Sequence, residues 1–174
     1  NKTSQKDLKK AEMIGVPIAF IVLFFAFGSL VASAIPIIIG MISILSTFGI
    51  LAFIGERVEL SIFVLNVAPM IGLALSIDFA LLFVSRYKTE LHKHSSVKEA
   101  ISITFATAGR AIIFSGICVF IGLSALYFIN IDLFRSVAIS GAVVVLVSLF
   151  LSLTLLPAVL AVLGKNINKG TLKL

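Results

Sequence analysis

The stretch LSIFVLNVAPMIGLALSIDFALLFV, residues 60–84, decides the fold. It carries one charge, Asp78, in an otherwise apolar run. At a rise of 1.5 Å per residue, about 18 or more apolar residues cross the roughly 30 Å hydrocarbon layer of a bilayer. Four further runs of this kind accompany it, at about residues 13–33, 34–54, 111–129 and 137–163. The 174-residue chain is 60% hydrophobic and 13% charged, with mean hydropathy +1.20. Soluble domains hold roughly 45–50% apolar and about 25% charged residues. The expected fold is therefore all-α, a polytopic bundle of five transmembrane helices over residues 13–163.

Charge sits between or beside the apolar runs, so the net charge of +6 reads as a topology signal and not as a nucleic-acid footprint. The segment 85–110 carries Arg86, Lys88, Lys93, Lys98 and Arg110 against Glu90 and Glu99, and the tail, 164–174, adds Lys165, Lys169 and Lys173. Both are expected in the cytoplasm, and the two spans between them allow it. The short loop with Glu56, Arg57 and Glu59 then falls outside, as does the polar segment 1–12, despite Lys2, Lys6, Lys9 and Lys10. A chain opening on Asn1 without signal-peptide pattern reads as a piece of a longer protein.

Within this frame, Gly28, Ser29 and Pro36 mark a tight, uncharged break between the first two runs. Tyr87 and Tyr127 fall at expected span ends, where an amphipathic ring suits the headgroup layer. Ser96-Val97-Lys98-Glu99 has capping-box spacing and predicts a helix start leading into the fourth run.

Asp78 is the principal candidate site. A charge near the bilayer centre costs about 2.5–3.5 kcal/mol on insertion scales, so its carboxylate must face protein or water. Counted from Leu73 it lies roughly 7–8 Å toward the basic end. The functional reading is a proton-accepting carboxylate, and the plain one is an acid that hydrogen-bonds helices together. Ile71, Ala74, Leu75, Leu81, Leu82 and Ser85 share its face, so polar partners must come from other helices. Ser115 is the nearest candidate by helix order. It lies in a stripe of Ala111, Ser115, Cys118 and Gly122 that suits close helix approach, as does the stripe Gly141, Ser148 and Ser152 in the fifth run. Pro17 and Pro69 fall inside spans, where neighbours can repair the missing hydrogen bond and a kink results. Pro69, Gly72 and Gly122 are thus candidate packing or hinge positions.

Other chemistries find little support. His92 and His94 have no third ligand, so no metal is expected. Cys118 is alone, which rules out a disulfide within the chain. No phosphate-binding glycine loop of Walker type occurs. No cofactor is implied beyond a proton as coupling ion, and no catalytic residue.

Four separated blocks resemble the MMPL family of transporters in the RND superfamily, over nearly the whole chain. They are Phe27-Gly28-Ser29-Leu30-Val31 before Pro36, Gly72 through Ile77-Asp78-Phe79 with Val84-Ser85-Arg86-Tyr87, Ala106-Thr107-Ala108-Gly109-Arg110 with Phe114-Ser115, and Leu153-Thr154-Leu155-Leu156-Pro157-Ala158. The resemblance implies that the five runs are spans two to six of the first half of a two-half transporter, an RND-type half-bundle lacking its first span and extracytoplasmic domain. It also implies a proton relay at Asp78, with Ser115 matching a fifth-span serine near it. In that family a tyrosine follows the aspartate; here Phe79 stands in its place and supplies no hydroxyl.

The function this implies is proton-motive-force-driven export of lipids or other amphiphiles, with membrane lipids, an amphiphilic substrate and the second half as partners, and with homo-oligomerisation left open. The alternative is a lipid-binding sensor resembling a sterol-sensing domain. An intramembrane aspartyl protease needs a second facing carboxylate, and Asp132 falls at the other side of the membrane from Asp78. A purely structural subunit is the remaining rival.

Overall fold

The computed structural model describes residues 17–18, 21–24, 27–55, 64–94 and 96–168. The start of the first run at Met13, the 56–59 loop, the N-terminal lysines, Lys169 and Lys173 lie outside the described residues. All regular structure among the described residues is helical. It comprises α1 (Leu30–Gly55), α2 (Val64–Lys93), α3 (Val97–Thr104), a π-helical turn (Phe105–Gly109), α4 (Arg110–Ala125), α5 (Asp132–Leu153) and α6 (Leu155–Leu163). Short 3₁₀ turns follow α4 (Leu126–Phe128) and α6 (Gly164–Asn168). Helix is what hydrocarbon demands, because a backbone group without water must be satisfied within its own segment.

Among the described residues four helical stretches are long and apolar enough to cross a membrane: Leu30–Gly55, Val67–Lys93, Val97–Phe128 and Asp132–Ile167. Of the first run, residues 17–18, 21–24 and Phe27 are helical, and the break from α1 falls at Gly28. Gly28 takes φ +61°, a left-handed conformation that costs a glycine little. The following helix therefore begins at Leu30, a few residues earlier than expected, and Pro36 is absorbed inside it.

Residues 85–93, expected to open a loop, instead continue α2, and only His94–Ser96 separate it from α3. The start of α3 falls where the capping box places it, with Ser96 extended at φ −102°, ψ 124°, but Ser96 makes no side-chain cap. Glu99 turns to His94 instead, at 3.3 Å, because His94 directly after α2 stands within reach of the first turn of α3. Tyr87 also departs from expectation. With α2 extended past it, the ring is fully buried and its hydroxyl donates to the Gly164 carbonyl at 3.3 Å, while Tyr127 stays exposed near Arg135.

α2 is the central rod, packed on α1 and α5, and α4 leans on α5. Lipid tails are as apolar as leucine, so close van der Waals fit and small residues drive such contacts. A Cβ on Gly116 would overlap the Leu149 side chain, and one on Gly141 would come within 2.8 Å of Leu123 Cδ1. Gly72 lies against Val144 in the same way, at 3.3 Å from an added Cβ. Gly122, expected to do this work on α4, meets nothing within 4 Å. The packed stripe of α4 runs through Ile112 and Gly116, so the Ala111, Ser115, Cys118 and Gly122 stripe beside it faces out. Pro69 sits half-buried inside α2, which runs unbroken through it.

Gly116→Val should force α4 off α5 and cost about 1–3 kcal/mol of stability, the usual penalty of overpacking. Ile117→Val, one residue on at an exposed position, should stay within about 0.5 kcal/mol. Denaturant titration of the full-length protein in detergent micelles checks the contrast.

Candidate functional site

The rotation of α2 sets where Asp78 points. Ser76 is fully buried and donates to Ser148 Oγ at 3.0 Å, and Ser43 Oγ pairs with the same oxygen at 3.0 Å. Three spans thus meet at one hydroxyl junction. Two residues along a helix turn the side chain by about 200°, so anchoring Ser76 inward sends Asp78 outward. Asp78 is exposed on this bundle and has no hydrogen-bond or ion-pair partner among the described residues.

Its face continues with Ala74, Leu82, Ser85 and Thr89, all exposed. Next to this face, on the basic side, lies an open groove of about 600 Å³ between α2 and the helix that follows it. Leu81, Leu82, Ser85, Arg86 and Thr89 form one wall, and Thr107, Ala108 and Ala111 the other. The second wall is built on the π-helical turn, a local widening that recurs at functional sites. Thr89 donates to the Ser85 carbonyl at 3.1 Å and Thr107 to the Ile103 carbonyl at 2.8 Å. Their oxygens remain able to accept from water in the groove.

Ser115 shares the outward exposure of Asp78, but no hydrogen bond joins the two. Phe79 is the reverse case. At 4% exposure its ring belongs to the main core cluster, pointing away from the Asp78 surface. Among the described residues no three histidine, cysteine or acidic side chains gather into a metal site.

Two polar constellations escaped the sequence reading. One is the junction itself, of which only Ser148 stood out in sequence. The available signal was the pairing of Ser43 and Thr47 with Ser148 and Ser152, each four residues apart and so on one helix face. Thr47 and Ser152 are buried there without a hydrogen-bond partner among the described residues. The other is Glu90, 3% exposed, with Arg86 at 3.0 Å and Lys93 at 3.6 Å from its Oε1 and His94 at 3.5 Å from its Oε2.

The end of the bundle is tied by the same basic helix end. Lys88 donates to the Phe27 carbonyl, and Ser29 Oγ donates to the Ile167 carbonyl at 2.7 Å. With the Tyr87 contact, these bonds place the Gly28 break, the end of α2 and the C-terminal turn on one side of the bundle.

The MMPL family description matches residues 1–171. This chain belongs to the MMPL family. Among curated MMPL relatives it is similar to the mycolic acid-containing lipids exporter MmpL11 of Mycolicibacterium smegmatis, 34% identical over 168 residues, 97% of this chain and 18% of the relative. The trehalose monomycolate exporter MmpL3 of the same organism is 32% identical over 166 residues, 95% of this chain and 16% of the relative. The heme uptake protein MmpL11 of Mycobacterium tuberculosis is 34% identical over 166 residues, 95% of this chain and 17% of the relative. The MMPL chain described here thus spans under a fifth of the length of these relatives. With its apolar helices, this membership makes it a multi-pass membrane protein of a transporter family.

Ser148→Ala should strand the Ser43 and Ser76 hydroxyls and cost about 1–2 kcal/mol, the scale of interhelical hydrogen bonds in membranes. Ser115→Ala, which removes no bond within the bundle, should leave the unfolding midpoint of the full-length protein unchanged.

Proposed function

We propose that this unit is part of a proton-motive-force-driven exporter of lipids or other amphiphiles, with Asp78 as the proton-carrying group. The observation that carries the reading is the placement of Asp78, a carboxylate within an apolar span, turned out of the bundle and left without a partner among the described residues. A buried structural acid would be spent on a neighbouring helix. An acid presented on an outer face serves a partner beyond this unit, and the second half of the transporter is that partner. The groove beside it, with Ser85, Thr89 and Thr107, offers protons a hydrated way to the basic end.

In this reading the basic end is cytoplasmic, following the excess of lysine and arginine there, and the N-terminal side of the first run is outside. One proton crossing the membrane supplies about 2.3 kcal/mol per 100 mV, enough to bias a two-state bundle about fifty-fold. The names of the relatives cover lipid export and heme uptake, which supports a cargo choice made in parts of the protein beyond these spans.

Asp78→Asn in the full-length protein should abolish substrate-coupled proton flux in proteoliposomes, while Asp78→Glu keeps part of it. Wild-type flux in the Asn variant would end the relay reading, and loss of assembly with coupling intact would favour a structural acid. Phe79→Tyr places its hydroxyl in the core and not beside Asp78, so it should leave coupled flux unchanged in the same assay.

A further inference from the structure

The two ring nitrogens of His94 each face a carboxylate, and the carboxylates belong to different helices. Nε2 lies 3.5 Å from Glu90 Oε2 on α2, and Nδ1 lies 3.3 Å from Glu99 Oε1 on α3. A neutral imidazole has one N–H donor and one lone pair, whereas an ionised carboxylate only accepts. Neutral His94 can therefore satisfy one contact while turning its lone pair on the other. The imidazolium satisfies both.

We propose that protonated His94 clamps the first turn of α3 to the last turn of α2 and that deprotonation releases it, making the junction of the two helices a proton-sensitive hinge.

The surrounding charges leave this role to His94. On α2, Arg86 and Lys93 approach the other oxygen of Glu90, Lys88 is bonded to the Phe27 carbonyl, and His92 is exposed. α3 contributes Glu99 and the exposed Lys98. The C-terminal turn, which meets α3 where Gly164 lies beside Val97, contributes the exposed Lys165 and accepts from the Tyr87 hydroxyl. Glu90 is thus held in place by Arg86 and Lys93 of its own helix, while the side chain of Glu99 is 56% exposed and is held to the end of α2 by His94. Because the helix is continuous from Val97 to Phe128, freedom at its first turn is passed to the groove wall at Thr107 and Ala108. The hinge does not require Asp78 to carry protons, so it survives or fails separately from the relay.

The test is amide hydrogen exchange at Ala100–Thr104 in the full-length protein in lipid nanodiscs, at pH 6 and pH 8, corrected for intrinsic rates. Histidine is the side chain that changes charge in this window. Corrected exchange should be about three-fold slower at pH 6, the scale of a partly exposed ion pair. His94→Asn, which is never charged, should lose the difference. Glu99→Gln should lose it too, because an amide can both donate and accept and so suits either form of His94. Equal protection of the wild type at both pH values would overturn the hinge, as would a difference that persists in either variant.

Discussion

In hydrocarbon a hydroxyl without a partner is expensive, and α2 meets that constraint by turning Ser76 inward to Ser148, 3.0 Å away, at the point where Ser43 also arrives. Little else along the apolar length of α2 distinguishes one rotation from another, since leucine and isoleucine are equally content against lipid or protein. The hydroxyl junction breaks that degeneracy. Once Ser76 is fixed, Phe79 and Phe83 are carried into the core, and Asp78 is carried to the outside. The candidate surface is thus the far side of a packing decision made two residues away.

Hydropathy made the architecture legible, because span length and the absence of charge are strong signals that survive any uncertainty in helix rotation. The order of the spans and the singular position of Asp78 could be read for the same reason. Rotation could not. A membrane helix is apolar all round, so its inward stripe leaves no amphipathic trace, and the choice between the Ser115 and Gly116 faces of α4 rests on a neighbour, Leu149, that lies far off in sequence. The boundary of α2 was misread for a related reason. Ser85, Arg86 and Lys88 look like a loop when polarity alone is counted, yet their helix simply continues past the apolar stretch, with Tyr87 and Leu91 keeping its inner side buried.

The candidate site was legible as a residue and not as a constellation. Asp78 announces itself by cost, whereas its surroundings depend on which helices splay and which touch. The expected companions separate accordingly: Ser115 shares its outward exposure, and Phe79 belongs to the core. The Glu90 cluster was hidden differently, since its acids and bases looked like ordinary solvated charge until the two contacts of His94 joined one helix end to the other.

The π-helical turn at Phe105–Gly109 adds a wider loop of backbone to an otherwise α-helical rod. A π turn closes its hydrogen bonds one residue further along than an α turn, so it stores one residue of slack. Were that slack taken up, the segment beyond it would screw forward by about 1.5 Å and turn by about 100°. Ser115 would then face Leu149, where an added Cβ has no room, so the fit of Gly116 against Leu149 holds the turn in its π form. The close fit of one glycine thus fixes the register of the whole span beyond the π turn.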